Sequence, residues 1–151
     1  MKKFLSILML LFLIGCTSIT IPNYIHDKHP SLKTFYVPYD QVHAATLKVL
    51  GDLGWRIEKE ADPALYERGR HFQDASHQQT LIFTDINQFS FFVGSRFSRI
   101  NVFLHVTADK ATEVEVRYLK VTSVMFKAFY NYKNDRLADR IFEHIEKELN
   151  L

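Results

Sequence analysis

Residues 99–120, RINVFLHVTADKATEVEVRYLK, decide the fold. Ile100, Val102, Leu104, Val106 and Ala108 alternate with polar residues on the way out, and Val114, Val116 and Tyr118 alternate on the return. A period of two puts each set on one face of an extended chain. Two such runs joined by a short polar loop read as an antiparallel hairpin. The two apolar sets share a face only if paired residue numbers sum to an even value, because a slip of one residue turns every side chain over. A tight loop at Asp109-Lys110-Ala111 then predicts the pairs Val106–Val114, Leu104–Val116 and Val102–Tyr118. The opposite face is expected to carry His105 with Glu115 and Phe103 with Arg117, as surface pairs worth under about 1 kcal/mol each.

Helical periods flank this β-rich centre. Val42, Ala45, Val49, Leu50 and Leu53 recur on one face from Tyr39 onward, with Asp40 in the first turn and Gly54 placed for a left-handed cap. Leu137, Ala138, Ile141, Phe142, Ile145 and Leu149 form the apolar stripe of a long C-terminal helix, which Asn134 can cap. Thr34-Phe35-Tyr36-Val37, stopped by Pro38, suits a first or edge strand. Strands are also expected from Trp55 to Glu60, from Leu65 to Phe72 with Gly69 as a bulge, and from Thr80 to Thr84. Ala61-Asp62-Pro63-Ala64 reads as the turn between the first two. The order predicts an α+β fold: a two-layer sandwich in which a curved, mainly antiparallel sheet of about five strands packs against an N-proximal helix and the C-terminal helix.

Two aromatic segments leave alternatives open. In 87–98 (NQFSFFVGSRFS), Phe89, Phe91, Phe92 and Phe97 surround Gly94, with Arg96 close by. These rings either fill the core from a strand and turn or form an exposed surface for a partner or a lipid membrane. In 122–133, Met125, Phe126, Phe129 and Tyr130 have helical spacing and either begin the last helix or lie over the sheet.

The N-terminus carries the strongest motif. Lys2 and Lys3 precede an apolar run from Phe4 to Ile14 interrupted only by Ser6, which as a helix reaches about 16 Å, roughly half of a bilayer's hydrocarbon core. A basic start, a short apolar centre and a small residue before the cut are the parts of an export signal. Leu13-Ile14-Gly15-Cys16 resembles the lipobox of bacterial lipoproteins. That resemblance implies cleavage after Gly15 and acylation of Cys16, which holds the protein to the membrane almost permanently at about 0.8 kcal/mol per buried CH₂. Thr17 in the position after the cysteine, where an Asp retains such proteins in the inner membrane, implies the outer membrane facing the periplasm if the source is Gram-negative. Residues 1–15 are thus expected to be a signal peptide, 16–33 a lipidated tether containing Pro22 and Pro30, and 34–151 a single domain.

Composition limits what the domain can do. The chain has 19 Lys and Arg against 17 Asp and Glu, and loss of Lys2 and Lys3 with the signal balances them. A neutral mature chain lacks the net basic footprint that nucleic acid requires, so no nucleic-acid partner is expected. Its single cysteine is assigned to lipid, so packing, not disulfides, must stabilise it; 13 Phe, 7 Tyr and a Trp supply the area.

Chemistry-bearing residues are sparse. His26 and His29, with Asp27 between them, form a possible half of a metal site, but no Cys or third nearby His completes it and they read as solvated, so no metal is expected. Asp74, Ser76 and His77 have the residue types of a triad, yet neighbouring side chains of an extended loop point apart. His43, His71, His105 and His144 show no metal-binding spacing, and no phosphate-cradling glycine motif occurs. No catalytic residue and no cofactor is expected.

From Phe35 to Leu149 the chain is similar to small envelope lipoproteins with a helix-grip domain of the BamC type. The resemblance rests on Phe35-Tyr36-Val37-Pro38-Tyr39-Asp40-Gln41-Val42, on Leu53-Gly54-Trp55-Arg56-Ile57 and on the closing helix. It implies a noncatalytic accessory role with an envelope protein as partner and the membrane held through Cys16; a single domain here departs from that family's two. The alternative expectation is a carrier gripping a small apolar molecule beneath the helices; a hydrolase or metal enzyme is the third. Phe89, Phe91, Phe92, Arg96 and Phe97 are the candidate interaction surface.

Overall fold

The structure, a computed structural model, describes residues 19–67, 78–125 and 127–151. In chain order the elements are β1 (Ser31–Phe35), α1 (Tyr39–Asp52), β2 (Ile57–Ala61), a 3-10 turn (Pro63–Leu65), β3 (Gln79–Thr84), β4 (Asn87–Phe91), β5 (Gly94–Val106), β6 (Thr112–Val124), β7 (Lys127–Asn131) and α2 (Asp135–Leu149). The sheet runs β1-β6-β5-β3-β2, all antiparallel, with β4 added to β5 and β7 to β6. Both helices lie on one face. This is the expected two-layer α+β sandwich, with β4 matching the strand-and-turn reading of 87–98 and β7 beyond the anticipated strands.

The helix-facing core is the alternating set read from the hairpin. Ile100, Val102, Leu104, Val114 and Val116 pack with Ile82 of β3 against Val42, Ala45, Val49 and Leu50 of α1 and Ala138, Ile141, Phe142 and Ile145 of α2. Gly54, at φ +79°, ends α1 in the left-handed conformation while the Trp55 amide returns to the Leu50 carbonyl over 2.8 Å. The Asn134 side chain caps α2 by accepting from the Leu137 amide at 3.2 Å.

The hairpin keeps the predicted parity but not the predicted partners. Val106 faces Thr112, Leu104 faces Val114 and Val102 faces Val116, a shift of two residues. The cause is the turn. Lys110 takes φ +64°, and the Thr107 amide donates to the Ala111 carbonyl at 2.8 Å, so the loop is Ala108-Asp109-Lys110, one residue earlier than expected. A three-residue loop with its last residue left-handed is a common hairpin closure. His105 therefore faces Glu113, Phe103 faces Glu115, and Asn101 faces Arg117.

That second face is not a solvated surface. Arg99, Asn101, Phe103, Glu115, Arg117, Leu119 and Val121 are buried. What covers them is the stretch expected as a free tether. Residues 19–30 lie along the sheet as a strap, and β1 already begins at Ser31. Ile25 is fully buried with Leu119 and Val121, and Ile19, Ile21 and Phe97 pack against them. Tyr24 stacks on Tyr66 at 5.6 Å beside Leu81, Phe83 and Phe103. Polar pairing fastens the strap: Ile25 N–H donates to Asn101 Oδ1 (2.8 Å), Asn101 Nδ2 donates to the Asn23 carbonyl (3.2 Å), and Arg99 donates to the Pro22 carbonyl (3.3 Å), Asn23 Oδ1 and Glu58 Oε2 (3.1 Å).

Arg117 anchors the strap's lower half. Its guanidinium binds the Glu115 and Glu67 carboxylates, donates to the Tyr24 hydroxyl and lies over the Tyr24 ring. Burial alone lowers the pKa of a guanidinium, but Glu115 and Glu67 more than reverse this and hold Arg117 above its ordinary value. Burying these charges is tolerable because each meets its opposite.

The expected strand from Leu65 to Phe72 is corrected at its start: Pro63–Leu65 form a 3-10 turn in which Asp62 Oδ1 accepts from the Ala64 amide at 2.9 Å. Gly69, with residues 68–77, lies outside the described residues. The helical spacing of 122–133 is also corrected: β6 runs to Val124 and β7 pairs back on it, so Phe129 and Tyr130 are strand residues.

Candidate functional site: an aromatic and basic hairpin tip

Strands β5 and β6 are 13 residues each, more than the helices and the inner strands cover. Their far ends, 94–98 and 120–124, project as a four-stranded extension β4-β5-β6-β7. It ends in two adjacent connections, the Phe92-Val93 turn between β4 and β5 and the one that Met125 opens between β6 and β7. The Met125 amide donates to the Val93 carbonyl at 3.1 Å and ties the turns together.

The turn chemistry is unusual. Short hairpin turns ordinarily carry Gly, Asn or Asp, because these tolerate positive φ and solvent. Here Phe92 is fully exposed, Val93 is exposed, and Met125 is 73 % exposed at φ +52°. A left-handed conformation costs a residue with a Cβ about 1–2 kcal/mol. A large apolar side chain is thus held out in water at a position where Gly or Asn is favoured.

Behind the turns, cross-strand registry places Phe89, Arg96, Thr122 and Phe129 in one row on the helix-side face, beyond the helices. Phe89 is 64 % and Phe129 58 % exposed; Tyr130 and Tyr132 are also exposed. The segments 87–98 and 119–134 contain Arg96, Lys120, Lys127 and Lys133 and no Asp or Glu. Lys133 pairs with Asp135 at 3.2 Å, just outside. A chain with a formal net charge of only +2 is therefore polarised, with an aromatic, cationic end.

The five residues expected as an interaction surface divide. Phe89, Phe92 and Arg96 are exposed, Phe91 is half-buried, and Phe97 turns to the strap side and packs on Ile25, Leu119 and Val121. Sequence reading missed Val93, Met125, Phe129, Tyr130 and Tyr132 as parts of the same surface. The signal was the acid-free run 119–134, visible only when charge is counted locally.

Elsewhere, Asp27, His29, Tyr118, Tyr132, Lys133 and Asp135 border an open cleft of about 400 Å³ between the strap's end and the start of α2. Val116, Leu137 and Ala138 also line it, so it opens at the margin of the helix-facing layer, whose interior is filled by the core side chains. His26 packs edge-on against Tyr24 at 4.6 Å, while the His29 amide donates to Asp27 Oδ1 at 2.9 Å, so the two histidines serve different surroundings. Among the described residues no group of three or more His, Cys, Asp or Glu is arranged to hold a metal. His43 bonds Glu60 at 2.6 Å, and His105 lies 3.6 Å from Glu113. Asp74, Ser76, His71 and His77, like Gly15 and Cys16, lie outside the described residues.

The fold and tip define a two-layer α+β sandwich with a strapped outer sheet face and an apolar, basic end. In comparison with known proteins, no family model matches the chain and no curated sequence does. No described helix is long and apolar enough to cross a membrane.

Proposed function

We propose that the protein is a noncatalytic lipoprotein of the bacterial cell envelope, anchored through acylated Cys16 and presenting its domain to another envelope component. Leu13-Ile14-Gly15-Cys16 supports the anchor, and the observation that carries the reading is the strap. Ile19, three residues after Cys16, already packs against the buried cluster of Ile25, Leu119 and Val121. A lipid on Cys16 would therefore hold a packed domain close to the membrane, in a set orientation, and not a module on a long leash. Such placement suits an accessory component that must meet a neighbouring protein in one geometry. Two measurements test it. Intact mass should show loss of residues 1–15 and acylated Cys16, and crosslinking in native membranes should recover one reproducible protein partner. A bare Cys16 with the leader retained, or turnover of an envelope metabolite by the purified domain without any partner, defeats the reading.

A second reading, a small-molecule carrier, is favoured by the cleft beside Tyr118 and Tyr132. Native mass spectrometry decides it: a bound molecule lost on Tyr132→Ala supports a carrier, and a clean apo mass counts against one.

A further inference from the structure

We infer that the hairpin tip built by Phe92, Val93 and Met125 is a membrane-contact surface that seats the domain on an anionic bilayer beside its own lipid anchor. The inference rests on the lipoprotein reading above, and it concerns what the tip touches.

Three observations converge. First, the strap fixes which end of the domain carries the anchor. Pro22 and Asn23 bond Arg99, while Asn23 and Ile25 bond Asn101, so the strap runs alongside β5 with its earlier residues toward the tip. Ile19 and Ile21 reach the cluster that holds Phe97 and Val121. The pair Phe97–Val121 stands three strand positions from Gly94–Val124, or about 10 Å at the usual rise per residue. Cys16 precedes Ile19 by three residues, which span at most about 11 Å. The opposite turn, at Asp109-Lys110, lies about 40 Å from the tip at that same rise, at the other end of β5. A lipid on Cys16 therefore brings the aromatic end, not the distant turn, to the bilayer.

Second, the residues there suit an interface. Among the described residues, Phe92, Val93 and Met125 are exposed at the turns, and Phe89, Phe129, Tyr130 and Tyr132 are exposed on the strands and chain behind them. Aromatic rings with polar handles gather where hydrocarbon meets water. Lysines flanking such a tip can lay their stems on apolar surface and hold their ammonium groups among headgroups. Third, the charge has the complementary sign: Arg96, Lys120 and Lys127 with no carboxylate in 87–98 or 119–134. Anionic lipid attracts such a cluster. A protein partner could also cover the tip, but the lipid anchor next to it guarantees only the bilayer as a neighbour.

The test uses the acylated mature protein in vesicles of phosphatidylethanolamine and phosphatidylglycerol. Cys16 is the chain's only cysteine, and its sulfur is blocked by lipid, so Phe92→Cys and Lys110→Cys each supply one free thiol for an environment-sensitive dye. The dye at 92 should shift to the blue and be quenched by brominated lipid; the dye at 110 should be quenched by aqueous iodide alone. Iodide quenching at 92 with no effect of brominated lipid overturns the inference. So does shielding at 92 that appears only in native membranes, which would assign the tip to a protein. If intact mass finds Cys16 bare, the anchored reading fails by itself. The tip is then judged by sedimentation of the same protein with the same vesicles. Phe92→Ser with Met125→Ser should lower the bound fraction about fivefold or more, and an unchanged fraction overturns the inference.

Discussion

The Ile25 amide donates to the Asn101 side-chain oxygen over 2.8 Å, joining residues 76 positions apart in a buried contact. Through this bond the N-terminal strap becomes part of the domain. Asn101→Ala removes the acceptor for Ile25 and the donor for the Asn23 carbonyl. Leaving a buried polar group unpaired costs about 1–3 kcal/mol. Urea unfolding should show that loss, and limited proteolysis should cut between residues 19 and 30 faster than in the natural chain.

Arg117 makes the stronger test of the outer sheet face. Its partners Glu115 and Glu67 are almost wholly buried, so Arg117→Leu leaves two carboxylates without their guanidinium. Breaking a buried ion pair from one side costs about 3–5 kcal/mol. The thermal midpoint should fall steeply. Replacing all three charges with apolar residues of similar volume should restore much of it, because the desolvation of each charge is then avoided. A small effect of Arg117→Leu would mean that this face is open to water.

This face also marks where sequence reading stopped. The alternation in 99–120 specified a hairpin and its helix-side core, and the periods of 39–53 and 134–149 specified both helices, because one amphipathic pattern has one solution for its apolar side. The second side carries Arg99, Asn101, Glu115 and Arg117, residues that in isolation belong in water. Their burial depends on Pro22, Asn23, Tyr24 and Ile25, far away in sequence, and no local period encodes such a meeting. Phe103, Leu119 and Val121 on that parity, with Ile19, Ile21, Tyr24 and Ile25 in the expected tether, are the available hint. The aromatic tip is legible in half: 87–98 reads as a candidate surface, but 122–133 has a spacing that fits either a helix or two strands around a turn.

Alkaline pH should loosen the domain. Burial raises the pKa of Tyr24, Tyr39 and Tyr118 above the ordinary 10.0; Arg117 opposes the shift at Tyr24 without cancelling it. A folded state that holds these protons more tightly than the unfolded chain is stabilised fully below pH 10.0 and loses that contribution as pH rises through the folded values. Denaturation at fixed urea should therefore show stability falling above about pH 10. Tyr24→Phe should flatten part of the fall. Phenolate absorbance rising in one step at the ordinary value, with the fold intact, would contradict it.

Gly94 tests the close approach on which the tip depends. A Cβ added there would lie 1.9 Å from the Ser123 carbonyl oxygen, backbone that cannot move aside without separating β5 from β6. Gly94→Ala should cost about 1–3 kcal/mol, as overpacking does. The opening should be local, read as faster amide exchange in 94–98 and 120–124 with little change in 99–106.

Phe92 and Phe97 sit on the same short segment but should answer substitution in opposite ways. Phe97 packs against Ile25, Leu119 and Val121, where the strap crosses the sheet, so Phe97→Ala should cost about 2–3 kcal/mol from lost burial and the cavity left behind. Phe92 touches water on all sides, so Phe92→Ser should change stability by less than about 0.5 kcal/mol. Side-by-side urea titrations of the two variants measure the difference. Equal losses would mean that Phe92 is buried against something within the domain and is not available to a membrane; a neutral Phe92→Ser leaves this ring with no structural duty, so that whatever retains it must lie outside the fold.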